Sequence, residues 1–332
     1  MDKNDFLTPH KWSTPVLTGS GTMGAFDEQA VDCPFVFRHQ NQYYMMYIGY
    51  DGKGYQTALA TSDNLLDWTF AGTILARGEG NGWDSANAAG TWILRENDIN
   101  GLPVLKKWND KYWLSYHSYP GEGYEAGPGR IGLAWTQDPS LLTWNRIPTP
   151  VLLPEDGAPW EQGGLYKECL LEHDGKFYLF YNAKNPEGDN GWVEQIGLAT
   201  STDLVTWTRS DRNPLLRITP GSWDSRFASD PCVLKQGDTW IMFYFGYDGN
   251  HAQEGLAFSK DLIHWEKCSE PILKPGSKGS LDSKHAHKPS VIRHEGILYH
   301  FYCACRPGLL EDITSCHGQF RTIAVATSKP ID

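Results

Sequence analysis

Short apolar stretches recur along the chain at a constant phase. Pro34-Phe35-Val36-Phe37, Thr91-Trp92-Ile93-Leu94, Glu168-Cys169-Leu170-Leu171, Pro231-Cys232-Val233-Leu234 and Pro289-Ser290-Val291-Ile292 each begin eight residues after an anchor formed by Phe26, Trp83, Trp160, Trp223 or Leu281. A polar turn separates each stretch from a second one rich in Tyr and Phe, as in Tyr43-Tyr44-Met45-Met46-Tyr47 and Phe177-Tyr178-Leu179-Phe180-Tyr181. Two such runs joined by a turn read as a β-hairpin. A third stretch follows, as Ala58-Leu59-Ala60-Thr61-Ser62 or Gly197-Leu198-Ala199-Thr200-Ser201, and in the first four copies it leads to a Trp (68, 144, 207, 265) expected in an outer fourth strand. Helical spacing of apolar residues is scarce.

The anchors lie 57, 77, 63 and 58 residues apart. Four-stranded units repeated at that period predict an all-β fold, a five-bladed β-propeller of antiparallel blades filling residues 1–332 as one domain. The blades fall at roughly 18–73, 74–150, 151–214, 215–271 and 272–332. Blade two carries extra residues, Glu96 to Leu102, which predict an irregular inner hairpin. The fifth copy ends without an outer strand, so residues 10–17 are expected to supply it and close the ring, which removes an exposed sheet edge.

Composition narrows the function. Aromatics form 13% of the 332 residues and the formal charge is −11, which argues against nucleic acid, since phosphate binding needs massed Lys and Arg. An apolar run near the roughly 20 residues that span a bilayer is absent, and the amino terminus lacks a signal-like h-region; the expected location is cytoplasmic, away from membranes. Seven cysteines, an odd number at low density, fit reduced thiols. Cys303 and Cys305 alternate toward one side of a strand, and a zinc site there would need further ligands.

In a propeller the residues just before each inner strand meet at one mouth of the axis, and the loop after the second strand returns there. Asp27, Asp84, Glu161, Asp224 and Asp282 recur at one position in every copy, as structural carboxylates would. Asp32, Glu168 and Asp230 break the repeat, and these three are the candidate catalytic acids, because glycosidic cleavage needs one carboxyl to protonate the leaving oxygen and another to activate water or attack the sugar. Candidate substrate contacts are His285, His287, His117, Asp51, Lys184, Arg226, Asp248 and Arg306, with Trp83 and Trp223 open to sugar stacking or to packing between blades. His285 and His287 face one side of a strand, where substrate hydrogen bonding is favoured over metal binding.

With Val31-Asp32-Cys33-Pro34, Lys167-Glu168-Cys169, Ser229-Asp230-Pro231 and the aromatic second strands in this order, the chain resembles the five-bladed propeller glycoside hydrolases, the group of families 32, 43, 62, 68, 117 and 130. That resemblance implies an essential acid in the first blade and two more in the third and fourth, with Asp32 as base or nucleophile and Glu168 or Asp230 as general acid. Within that group, the resemblance to families 43 and 117 implies inversion. A funnel-shaped mouth closed by five loops suits a chain end, so the expected enzyme is an exo-acting, inverting hydrolase that releases a terminal sugar from an oligosaccharide. The alternatives are a phosphorylase or transglycosylase on the same scaffold, or a carbohydrate-binding propeller without catalysis. Carboxyl groups suffice for this chemistry, so no cofactor is expected, with room for a structural cation near the axis at His287.

Overall fold

The computed structural model describes residues 1–186 and 191–331, which form five antiparallel blades around an axis, and their helical elements are three short 3-10 turns. Blade one consists of Ala30–His39, Gln42–Tyr50, Tyr55–Ser62 and Thr69–Leu75; blade two of Ala89–Ile93, Tyr112–Ser118, Arg130–Thr136 and Asn145–Arg146. Blade three holds Gly164–His173, Lys176–Lys184, Glu194–Ser201 and Thr208–Arg209, and blade four Phe227–Gln236, Thr239–Tyr247, Ala252–Ser259 and Glu266–Lys267. Blade five contributes His285–His294, Ile297–Pro307 and Gln319–Thr327. Its outer edge is covered by the amino terminus: His10–Lys11 pairs with Thr327 and Ala326, and Leu17–Thr18 with Ile323 and Thr322.

In blades two to five the recurring acid holds the blade together rather than serving its mouth, while Asp27 of blade one accepts from the Ser20 hydroxyl at 2.7 Å. Asp84, Asp224 and Asp282 accept a hydrogen bond from a second-strand tyrosine, Tyr116, Tyr244 and Tyr302, at 3.0, 3.2 and 3.0 Å. Each also pairs with a cation from the outer strand: Arg146, Lys267 and, in blade five, Lys11 from the amino terminus. Glu161 repeats the arrangement with Tyr181 and Arg209. Buried carboxylates need such partners, since an unpaired one costs several kcal/mol.

The four tryptophans expected in outer strands stand one residue earlier. Trp68, Trp144, Trp207 and Trp265 close the turn before that strand, each indole N–H donating to the carbonyl of a leucine three residues back. Those leucines, 65, 141, 204 and 262, are buried with φ between 60° and 68°. Burial of the side chain and the indole contact offset the backbone strain there.

Four of the five inner hairpins share a bulge, blade two slipping instead between Gly90 and Trp92. Register slips between Asp32 and Phe35, Tyr166 and Cys169, Ser229 and Cys232, and His287 and Ser290. At each bulge one residue takes positive φ: Cys33 at 52°, Lys167 at 49°, Asp230 at 53° and Lys288 at 65°. A bulge re-aims the side chain at its corner, and these four line one central cavity.

The extra residues of blade two cross the opposite end of the axis. Arg38 N–H donates to Pro103, Ile99 N–H to Lys235, and Lys235 N–H back to Asn97, while Lys106 pairs with Glu172 of blade three at 2.7 Å. Arg95, 1% exposed, donates to the Val36 carbonyl of blade one at 2.6 Å and to the Val291 carbonyl of blade five at 3.2 Å, its guanidinium lying over Phe35 and Trp92.

Candidate active site

At the mouth of the axis a cavity of about 270 Å³ opens between the inner-strand starts. Tyr55, Tyr119, Tyr124, Tyr166, Trp192 and Phe245 form much of its wall, and Glu125, Glu194, Asp230, Lys167, Lys288 and Arg321 supply its charge. An aromatic wall with a few convergent polar groups is what a sugar ring, apolar on its faces and hydroxylated at its rim, requires.

Asp230 and Glu194 are built into one hydrogen-bonded unit. The Asn182 carboxamide grips Asp230 at both ends: its oxygen accepts from the Asp230 N–H at 2.6 Å, and its N–H donates to Oδ1. The Ser229 hydroxyl lies 2.8 Å from Glu194 Oε2 and 3.5 Å from Asp230 Oδ1. The two carboxyl oxygens are therefore no farther apart than the sum of those distances. Both groups are buried, at 6% and 2% exposure. Burial raises the Glu194 carboxyl to about 7, helped by the negative charge of Glu125. Burial likewise raises Asp230 to about 6, against the pull of Lys288 and Lys167. One wall thus carries two carboxyls that exchange protons near neutrality.

Of the three acids expected from the sequence, Asp230 alone lines the cavity. Asp32 sits one residue before the bulge, and Cys33 occupies the position equivalent to Asp230. Asp32 is 2% exposed, accepting from Lys288 Nζ at 2.6 Å and Arg321 at 2.8 Å. Burial alone would raise its carboxyl, but those two cations override this and hold it well below the usual carboxylate range. It pairs with two cations that themselves line the cavity. Glu168 is the second bulge residue and is fully buried, bonded to the Thr91 hydroxyl and 3.4 Å from His117 Nδ1, outside the cavity lining. Cys33 does line the cavity, with its thiol pushed up to about 12 by burial, so it is a neutral wall group.

The remaining expectations divide. His117, His285 and His287 line the cavity. Burial lowers both His285, to about 4, and His287, so each presents a neutral imidazole. Lys184 and Arg226 brace the aromatic wall: the Lys184 ammonium lies 4.5 Å from the Trp192 ring and Arg226 donates to the Trp192 carbonyl at 3.2 Å. The other expected contacts are structural. Asp51 caps the turn at Lys53 and Gly54 and pairs with Arg77, Asp248 caps Asn250 and His251, and Arg306 pairs with Asp312 and covers Phe320. Trp83 and Trp223 stack on Tyr116 and Tyr244 against Gly132 and Gly255, where any β-carbon would collide with the indole, so they pack within their blades, outside the lining of this cavity.

Glu194, Glu125, Lys167 and Arg321 were not anticipated. Glu194 begins the third strand of its blade, where the other blades place Tyr55, Arg130, Ala252 and Gln319. An acid there occurs once in five copies, the same non-repeating signal that singled out Asp230. The third strand starts at the mouth, and its first residue pairs in parallel with the next inner strand, Glu194 with Phe227 and Ala252 with His285.

Residues 86–281 match the family profile described as glycosyl hydrolases family 32 N-terminal domain. The protein is similar to the solved structure of a BT0996 complex with RGII, with 31% identity, a TM-score of 0.82, and coverage of 99% of this protein and 94% of that one. A structure titled "Glycoside hydrolase" is 30% identical with a TM-score of 0.81 over 98% of this protein and 93% of that one. Among curated proteins, the 1,2-beta-oligomannan phosphorylase of Thermoanaerobacter sp. (strain X514) is 28% identical over 44% of this sequence. The match spans 50%, about half, of the length of that relative.

Proposed function

The protein belongs to the family described as glycosyl hydrolases family 32 N-terminal domain, whose members act on glycosides, and on that basis we propose that its cavity removes the terminal sugar of an oligosaccharide with Glu194 and Asp230 as the working pair. The observation that carries this is the single Ser229 hydroxyl shared by two buried carboxyls on one aromatic-walled cavity. Glu194, protonated up to about pH 7, gives its proton to the leaving oxygen as the glycosidic bond breaks. Asp230, ionised above about 6, attacks the anomeric carbon, and Glu194 then takes a proton from the water that releases the sugar.

Inversion was the expectation from the resemblance to families 43 and 117. Inverting pairs stand roughly 6.5–9.5 Å apart to admit water and retaining pairs about 5–5.5 Å. The shared hydroxyl keeps the nearer oxygens of Glu194 and Asp230 inside the wider spacing, which supports retention. A cavity of about 270 Å³ falls just below the usual range of small-molecule sites, roughly 300–1,000 Å³, and suits one sugar at the end of an oligosaccharide.

Phosphorolysis is the second reading. It is favoured by Lys167, a buried cation on the cavity wall with no ion pair among the described residues, and by similarity to a phosphorylase. One experiment separates the readings: oligosaccharides, RGII fragments among them, and nitrophenyl glycosides are incubated with and without phosphate, and the products are followed by proton NMR. Free sugar of retained anomeric configuration, formed without phosphate, supports the proposal. Sugar phosphate would establish the second reading, and turnover that survives Glu194→Gln and Asp230→Asn would refute the pair.

A further inference from the structure

A second cluster adjoins the cavity on blade five. His287 lies opposite Cys303 and His285 opposite Cys305 in the antiparallel hairpin, so pairing puts these side chains on one face. The sulfurs of Cys303 and Cys305 are 3.9 Å apart, and a ring nitrogen of His287 lies within 4.8 Å of both. All three residues are buried, and the two cysteines have no exposure.

The sulfur spacing is the one a bound ion would set, and the histidine nitrogen lies near enough to join it. Tetrahedral zinc with Zn–S of about 2.3 Å and Zn–N of about 2.0–2.1 Å sets its ligand edges at about 3.8 Å between sulfurs and about 3.6 Å from sulfur to nitrogen. The sulfur pair already stands at that edge. A disulfide needs sulfurs about 2.05 Å apart, which two cysteines alternating along one strand do not reach without backbone movement. The histidine also carries an outer contact of the right kind. Its Nδ1 is 3.0 Å from the Cys303 carbonyl, and an N–H donated there leaves the lone pair on Nε2.

We propose that His287, Cys303 and Cys305 bind a zinc ion as a three-ligand site, with the fourth position on the side of the cavity that His287 lines. Thiolate and imidazole select zinc over calcium or magnesium, which prefer all-oxygen ligands. Two thiolates cancel the charge of the ion, so no net charge is added beside the buried Asp32, Lys288 and Arg321 group. The site uses none of the residues assigned to proton transfer or attack, and it stands or falls independently of them.

The test uses the full-length protein. Wild-type protein is loaded with zinc sulfate, desalted and assayed by inductively coupled plasma mass spectrometry, and a parallel sample is loaded with cobalt(II) and read by absorption. The expected result is one zinc per molecule, together with sulfur-to-cobalt charge transfer and the intense visible bands of tetrahedral coordination. Cys303→Ser and Cys305→Ser should each lower zinc retention at least about tenfold. Wild-type protein that retains no zinc, a cobalt spectrum without the charge-transfer band, or full retention by folded cysteine variants would overturn the proposal. The cobalt spectrum is read on the wild type and holds its force even if a variant fails to fold.

Discussion

Replacing Glu194 with glutamine should lower activity and raise stability, and the second effect should depend on pH in a fixed direction. Its carboxyl is raised from 4.5 to about 7 by burial and by Glu125. At 1.36 kcal/mol per unit that is about 3 kcal/mol of preference for the neutral form in the folded state. Below about pH 4.5 the group is protonated in both states and that preference is fully present; as pH rises toward 7 the unfolded state ionises first, and the contribution is lost through the folded value. Glutamine keeps the acceptor for Ser229 and cannot ionise, so Glu194→Gln should match wild type near pH 4 and exceed it by up to about 3 kcal/mol near pH 8 in guanidinium titrations. Turnover on substrates with poor leaving groups should fall about 10²–10⁴-fold, and less on nitrophenyl glycosides, whose leaving oxygen needs little protonation. Wild-type rates on unactivated oligosaccharides would refute the assignment, and no gain in stability at alkaline pH would refute the burial argument.

Asp230→Asn should abolish the acidic limb of a bell-shaped kcat/KM profile whose limbs lie near 6 and 7, while Glu194→Gln should abolish the alkaline one; unchanged limbs would sink the pairing. Asp32→Asn leaves Lys288 and Arg321 buried without their carboxylate and should cost about 3–5 kcal/mol in denaturant titrations near neutrality. Because the folded Asp32 carboxyl is depressed, its stabilisation is present above about 3.8 and withdrawn as pH falls below it, so the loss should shrink in acid. Arg95→Met removes two charged hydrogen bonds from buried carbonyls and should cost at least about 2 kcal/mol with KM unchanged; a shift in KM without loss of stability would contradict its place at the far end of the axis.

Period and anchor were enough to read the blades, their order and the return of the amino terminus to blade five. Those features depend on which residues repeat, and repetition is visible in a string of letters. The site was harder because the bulge shifts side-chain direction within three consecutive positions. Asp32, Glu168 and Asp230 look equivalent at the level of the motif, yet they occupy the residue before the bulge, its second residue and its first, and only the first aims at the cavity. Positive φ at Cys33, Lys167, Asp230 and Lys288 has no marker in the residue types, since none is glycine. Glu194 was legible in principle as a non-repeating acid, but it stands at a third-strand start, apart from the inner strands and the loops that return to them. The tyrosine and cation clamps around the recurring acids follow from the same logic of repetition and need no geometry to suspect.

Among the described residues, the stretch that crosses beneath the ring bridges the far end of the axis. Its backbone ties to blades one and four, Arg95 reaches blades one and five, and Lys106 reaches blade three, so the described residues make the axis a well with its mouth at the cavity. A polymer cannot thread through a well. Whatever sugar is cut must back out along the path by which it entered, before another end can be seated, and the water displaced on entry leaves by that path too. With the proposed removal of terminal sugars, turnover on long substrates should be distributive: each encounter shortens a polymer by one unit and then releases it, so the products of a limited digest spread over many molecules instead of a few being consumed to the end.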